Sequence, residues 1–319
     1  MYLHKFDKKL KNGIIIVFRG DIVETVVLSK KKFDSLEPLE LDKKIMNTEG
    51  LLYRFSEKRK WENDPKLLKK LYINEGETFG NKLATLTSLI CNREELSSLD
   101  IVVPEKFVVV DKKLAGFIMP YIECDNFAMV LQDKNISQDV KIEYFKQIGK
   151  LFESMENFRK YSSINDFFLS DVHEGNFIIE KETDKVKAVD IDSCRINQNK
   201  PFPTKYLNLA YIHAKLDGKY NPYSLEREIY YADENSDLFC YCIMLLNFFY
   251  GDNFFELSIP EFYTYLQYLE DINFPKPLLE IFAKLYTYDN NENPYEYLDE
   301  LPKDFIRAHS SVYSRVRKR

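Results

Sequence analysis

Two kinds of hydrophobic spacing divide this chain. From Gly13 to Met119 the apolar residues come in short runs, many of them β-branched and broken by turn formers. From Ser137 onward they return every three or four residues. The first pattern predicts strands and the second helices. Hairpins are expected at Ile14–Phe18 with Ile22–Val27 around Gly20-Asp21, at Lys44–Met46 with Leu51–Phe55 around Asn47–Gly50, and at Val108–Val110 with Phe117–Met119. A strand is expected over Leu67–Ile73, and Phe79, Leu83, Leu86 and Ile90 place one helix over Glu75–Cys91. The charged stretch Ser56–Lys66, with Pro65 and the only tryptophan, Trp61, reads as an exposed connection. In the second region Val140, Tyr144, Ile148, Leu151, Phe152 and Met155 mark a long amphipathic helix over Ser137–Tyr161. Asp237–Tyr250 is apolar nearly all round and predicts a buried helix, with others at Phe262–Leu269 and Pro277–Tyr286. Residues 195–232 show no clear periodicity and hold three prolines. The pattern predicts an α+β protein, β-rich with one main helix at first and mostly helical later.

One hairpin is expected inside the helical part. Phe177-Ile178-Ile179 and Val186–Val189 flank the turn Glu182–Lys185. Before it stands Asp171-Val172-His173-Glu174-Gly175-Asn176, and Asp190 follows Asn176 by fourteen residues. Such a hairpin brings Asn176 and Asp190 to one end of its two strands. An amide oxygen and a carboxylate suit Mg²⁺, a hard cation that takes oxygen ligands, and Asp171 sits on the loop beside them. Asp and Asn are also ordinary loop residues. The spacing from Asp171 to Asn176 therefore gains its weight from Asp190 behind the hairpin.

Composition narrows the class. With 45% hydrophobic residues, 319 residues suffice for one large domain or two small lobes. A net charge of −6 argues against bulk nucleic-acid binding. The basic end, Arg315-Val316-Arg317-Lys318-Arg319, reads as a solvated tail. Cysteines at 91, 124, 194, 240 and 242 have no paired metal spacing, and Cys240 and Cys242 lie in an apolar run that suits a core. An odd number of scattered thiols fits a reducing cytosol. The first residues are too polar for a secretory signal, and Leu238–Tyr250 is too short to span a bilayer. A soluble, cytoplasmic protein is expected.

The order of these features resembles the protein-kinase superfamily over residues 40–305 or so, in particular divergent eukaryotic-like Ser/Thr kinases of bacteria and their phages. Asp171 to Asn176 is similar to the catalytic loop and Asp190-Ile191-Asp192 to the DFG triplet. Met119-Pro120-Tyr121-Ile122 looks like the hinge that holds adenine, and Leu68-Lys69-Lys70-Leu71-Tyr72 like the strand with the phosphate-binding lysine. Ser236-Asp237-Leu238-Phe239-Cys240 and the apolar run to Gly251 look like the buried central helix of the large lobe. The resemblance implies a bilobal fold. Its parts are an N-terminal extension with a hairpin (1–39), a small lobe (40–121), a large lobe (122–305) and a basic tail (306–319). It implies ATP and Mg²⁺ as cofactors and a protein substrate, with no membrane or nucleic-acid partner.

The same resemblance assigns roles. Asp171 is the base for the acceptor hydroxyl, and Asn176 and Asp190 are metal ligands. Asp192 is either a second metal carboxylate or a loop cap. Lys70, followed by two apolar residues, is preferred to Lys69 for the phosphates. Gly50 remains of the glycine loop. Met119 is the gatekeeper, Pro120 and Ile122 meet the adenine edge through their backbones, and Ile178 is the floor beneath adenine. Asn126 either reaches the ribose or is a surface asparagine. His173 either contacts the γ-phosphate or acceptor or is a loop histidine satisfied by hydrogen bonds. Asp237 caps its helix and anchors the loop backbone. Several features depart from the pattern. Ser170 and His173 stand where an arginine and a lysine are usual. In the first-region helix Glu77 is the best candidate acid and lies early, with Asn81 and Lys82 at the better-spaced positions. A pseudokinase, or a small-molecule kinase or nucleotidyltransferase on the same fold, is the alternative.

Overall fold

The computed structural model describes residues 16–18, 21–39, 50–58, 64–71, 76–199, 234–251, 253–254, 257–287 and 292–302. The expected strand at Lys44–Met46, Trp61, Glu49, most of 195–232 and the basic tail lie outside them. The described residues form two compact units. One takes the chain up to Glu123 together with Ala188–Asp192, and the other takes Cys124–Lys187 with the chain from Ser193.

The first unit begins with a short antiparallel pair, β1 (Ile16–Phe18) and β2 (Asp21–Val23). The expected second strand of this hairpin breaks at Glu24. Its second half, β3 (Thr25–Leu28), joins a different sheet. After the short helix α1 (Lys30–Asp34) come β4 (Gly50–Phe55) and β5 (Lys66–Leu71). The helices α2 (Gly76–Cys91) and α3 (Arg93–Leu96) follow, then β6 (Lys106–Val110) and β7 (Lys113–Pro120). The five-stranded sheet runs β3-β6-β7-β5-β4, antiparallel except for the parallel β3–β6 pair. Asp111 and Lys112 make the β6–β7 turn at positive φ.

Strand residues alternate between faces, and each face of this sheet has its own core. Phe107 and Phe117 pack with Leu83, Leu86 and Ile90 of α2, with Leu71 and Met119 beside them. Tyr53, Phe55, Leu68, Val108 and Ile118 form the other cluster, against Phe33 and Leu36 at the α1 end. Ala188 joins this unit through backbone bonds, donating to the Asp100 carbonyl and accepting from the Val102 amide.

The second unit opens with β8 (Cys124–Asn126), α4 (Phe127–Gln132) and α5 (Gln138–Tyr161). Ser137 caps α5 by accepting from the Val140 amide. The expected hairpin is present as β9 (Phe177–Glu180) and β10 (Lys185–Ala188), and β8 extends it to a three-stranded sheet. Three further helices follow: α6 (Glu234–Tyr250), α7 (Ile259–Asp271) and α8 (Lys276–Ala283). As its composition predicts, α6 is buried on most sides, and its Tyr241 hydroxyl donates to the Phe145 carbonyl of α5. Gly149 of α5 is needed because a Cβ there would collide with Tyr295. Among the described residues no helix is long and apolar enough to cross a membrane.

Candidate functional site

Each unit gathers part of the predicted chemistry. In the first, strand parity decides which lysine is placed to act. Leu68 and Lys70 share the β5 face toward α1, while Lys69 faces α2 with Leu71. Lys70 therefore lies over the rings of Tyr53 and Phe33, 3.8 and 4.3 Å from their centres. Lys69 is 1% exposed, and its ammonium donates to Asp190 and, at 3.0 Å, to Oδ2 of Asp192. Lys70, the lysine expected to meet phosphate, thus faces away from Asp190: the two lysines alternate across the strand, and Lys69 rather than Lys70 meets Asp190. Gly116, the register partner of Lys70 on β7, makes room for the strand, since a Cβ there would strike the Lys69 carbonyl oxygen.

A third partner comes from α2. Lys82 Nζ lies 3.2 Å from the same Oδ2 of Asp192. The series Asp190–Lys69–Asp192–Lys82 balances two carboxylates against two ammonium groups. Burial pulls the Lys69 pKa down, but Asp192 and Asp190 outweigh it and hold it above its ordinary value. For Asp190 burial pushes up and Lys69 outweighs it, leaving the carboxyl below its ordinary value. Asp192 goes the other way, held up chiefly by burial, with Asp190 adding to it against the pull of Lys69. Asp190 sits at φ 57°, a left-handed conformation that Asp tolerates better than most residues. Asp192 is enclosed between two lysines, which suits a structural carboxylate better than the metal ligand expected of it.

In the second unit the Asp171–Asn176 loop is built from below by Asp237. One carboxylate oxygen accepts from the Leu169 amide at 2.8 Å and the other from the Ser170 amide at 2.9 Å. Asp237 is 3% exposed and stands in the first turn of α6, which begins at Glu234, rather than at its cap. Ser170 has φ 67°, a strained conformation that persists where surrounding bonds fix it. Its hydroxyl donates to the Phe168 carbonyl and accepts from the Arg195 amide. These bonds are the part Ser170 plays where an arginine is usual in the resembled pattern. Around it the Arg159 guanidinium covers the Phe168 ring at 4.5 Å, and Asp166 accepts from the Asn197 and Gln198 amides.

Above that base the Asn176 amide nitrogen donates to the Asp171 carbonyl at 2.9 Å and to its carboxylate at 3.1 Å. The Asn176 oxygen is thereby the atom turned to other partners. Nδ1 of His173 accepts from the Gly175 amide, and Nε2 lies 3.8 Å from Asp171. That is the loop-histidine arrangement, with the second ring nitrogen toward Asp171. Among the described residues no three His, Cys, Asp or Glu side chains converge as a metal cage. Mg²⁺ needs none, since it keeps waters and takes one or two protein oxygens beside substrate phosphates. The oxygens of Asn176 and Asp190 fit that cation by type.

The remaining candidates fall as follows. Asn126 is a cap, accepting from the Ala128 amide and donating to the Gly175 carbonyl, so both ends of the side chain predicted for ribose are engaged. Met119 and Pro120 end β7, paired with Leu67 and Lys66, and Ile122 follows outside any strand. Ile178 is buried in β9 opposite Asn126. Gly50 opens β4, paired with Leu71, and the loop before it lies outside the described residues. The Glu77 side chain is also outside them. Lys82 is the residue the sequence reading left without a role. Its signal was a lysine on the apolar face of a helix, one place from Leu83 and four from Leu86. The sequence matches no known protein-family description, and no curated protein is significantly similar to it.

Proposed function

We propose that this protein transfers the γ-phosphoryl group of ATP to a protein hydroxyl in a Mg²⁺-dependent, Ser/Thr kinase-like reaction, on a fold of the protein-kinase type. The observation that carries this reading is the pairing of the buried Lys69 with the half-buried Asp190, residues 121 positions apart in sequence. A strand lysine for phosphate and an aspartate for metal are the charges that phosphoryl transfer requires. Asp237 supports the reading independently, since it spends a buried carboxylate on ordering the loop that bears Asp171.

In this reaction Asp171 orients the acceptor hydroxyl and takes its proton as the oxygen–phosphorus bond forms. The bond between the γ-phosphorus and its bridging oxygen breaks, and ADP leaves with the electron pair. Lys69 neutralises charge on the α- and β-phosphates, the role first expected of Lys70. Asn176 and Asp190 are the residues that would each offer an oxygen to Mg²⁺, and that cation would supply screening of the phosphate charge. Asn176 also holds the Asp171 carboxylate in one orientation. Adenine recognition by Met119, Pro120 and Ile122, with Ile178 beneath, belongs to the same proposal.

The enclosure of Lys69 by two carboxylates favours a second reading, nucleotide binding without transfer. Incubation with γ-labelled ATP and Mg²⁺ separates the two. Transfer to the protein itself or to a general protein substrate, lost in Asp171→Ala and Asp190→Ala, is the expected result. Absence of transfer with a thermal shift on adding ATP and Mg²⁺ selects the binding reading. Label arriving as AMP selects nucleotidyl transfer.

A further inference from the structure

The Lys69 cluster takes its second carboxylate from an unexpected place. In the resembled pattern the first-region helix supplies an acid to the strand lysine. Here α2 presents Lys82, and the acid is Asp192, two residues beyond Asp190. Both ammonium groups approach one atom, Oδ2 of Asp192, at 3.0 and 3.2 Å. Lys82, Lys69 and Asp192 are all buried, so their charges are poorly screened and must cancel locally. A glutamate at 82 would give three carboxylates to one lysine. A neutral residue would leave Asp190 and Asp192 competing for Lys69 alone. The exchange of acid for base on the helix and the acid at 192 therefore belong together.

Resting on the proposed phosphoryl transfer, we propose that Lys82 is a positioning residue for it. By holding Asp192, Lys82 divides Lys69 between Asp192 and Asp190 and so sets where the Lys69 ammonium stands. Lys82 touches neither phosphate nor acceptor. Its effect passes through Asp192, and the two behave as one element.

The test is a double-substitution cycle on the full chain: wild type, Lys82→Met, Asp192→Asn and the pair, with Lys82→Arg as the conservative variant. Lys82→Gln serves if Lys82→Met does not fold. Misplacing a charged group by about 1 Å can cost about 100-fold in rate, so Lys82→Met is expected to lower kcat by about that factor. KM for ATP should stay within about threefold, because ground-state binding does not depend on this contact. Lys82→Arg should recover most of the loss, and the pair should be no worse than either single variant. Wild-type kcat in Lys82→Met, or losses that multiply independently, would overturn the proposal. If wild type transfers no phosphate, the proposed function has failed, and the pairing is read from the unfolding equilibrium of the same four proteins. Coupling of about tenfold between positions 82 and 192 then sustains it, and additive effects overturn it.

Discussion

The two units order their carboxylates by opposite means. In the first, Asp190 and Asp192 are neutralised by ammonium groups, in a series where every member answers for its neighbour's charge. In the second, the two carboxylate oxygens of Asp237 accept from two backbone amides of one loop. The first arrangement fixes side chains and the second fixes backbone. A charge network is sensitive to the sign of each substitution. An amide-bound carboxylate is sensitive to loss of acceptor oxygens, whatever their charge.

Substitutions can break that contrast. The largest effect is expected at Lys69. Lys69→Met removes the ammonium that Asp190 and Asp192 share and should cost about 3–5 kcal/mol in urea unfolding, as breaking a buried ion pair does. Lys70→Met removes ring contacts worth about 0.5–1 kcal/mol, together with the attraction of Asp34. Equal losses at the two positions would sink the parity assignment. Next is Asp237→Ala, which leaves two buried amides without acceptors at about 1–3 kcal/mol each, so a loss of about 2–6 kcal/mol is expected. Asp237→Asn keeps one acceptor oxygen and should fall between. A full loss with Asn would show that charge matters there as much as in the first unit.

The smallest effect sharpens the comparison through pH. Asp190 has a folded-state pKa below its unfolded value. Its contribution is complete above the unfolded value, about 3.9, and is lost as pH falls through the folded one. Asp192 is shifted upward and opposes this, so the Asp190 share is the difference between wild type and Asp190→Asn. Stability curves of the two between pH 6 and pH 2, as a range of order a few units about that value, should converge on acidification. Curves that stay parallel would remove Asp190 from the ion-pair account.

What the sequence made legible follows its periodicities. The helices over Gly76–Cys91, Gln138–Tyr161 and Glu234–Tyr250 stand within a few residues of their predicted limits, because long apolar stripes mark their own extent. The anchoring of the loop by Asp237 was implied by the resemblance and not by periodicity, and Asp237 stands within the first turn of its helix rather than at the cap. The lysine was not legible. In Lys66-Leu67-Leu68-Lys69-Lys70-Leu71 both faces carry apolar residues, so period two cannot say which lysine turns toward α2. The break of the first hairpin at Glu24 was hidden too, since a strand leaving one partner for another keeps the same composition. For Asn126 the sequence leaves a ribose contact and a surface position open, and the cap it forms stays hidden because a cap uses the same amide chemistry. Lys82 needed its partner in space, 110 positions later in the chain, before its place on an apolar helix face had a meaning.

The most direct test of the central claim is transfer of labelled γ-phosphate from ATP by three proteins: wild type, Lys69→Met and Lys70→Met. Lys69→Met should be inactive while remaining folded by circular dichroism, and Lys70→Met should retain wild-type transfer to within about threefold. Transfer surviving in Lys69→Met, or lost in Lys70→Met instead, would contradict the account.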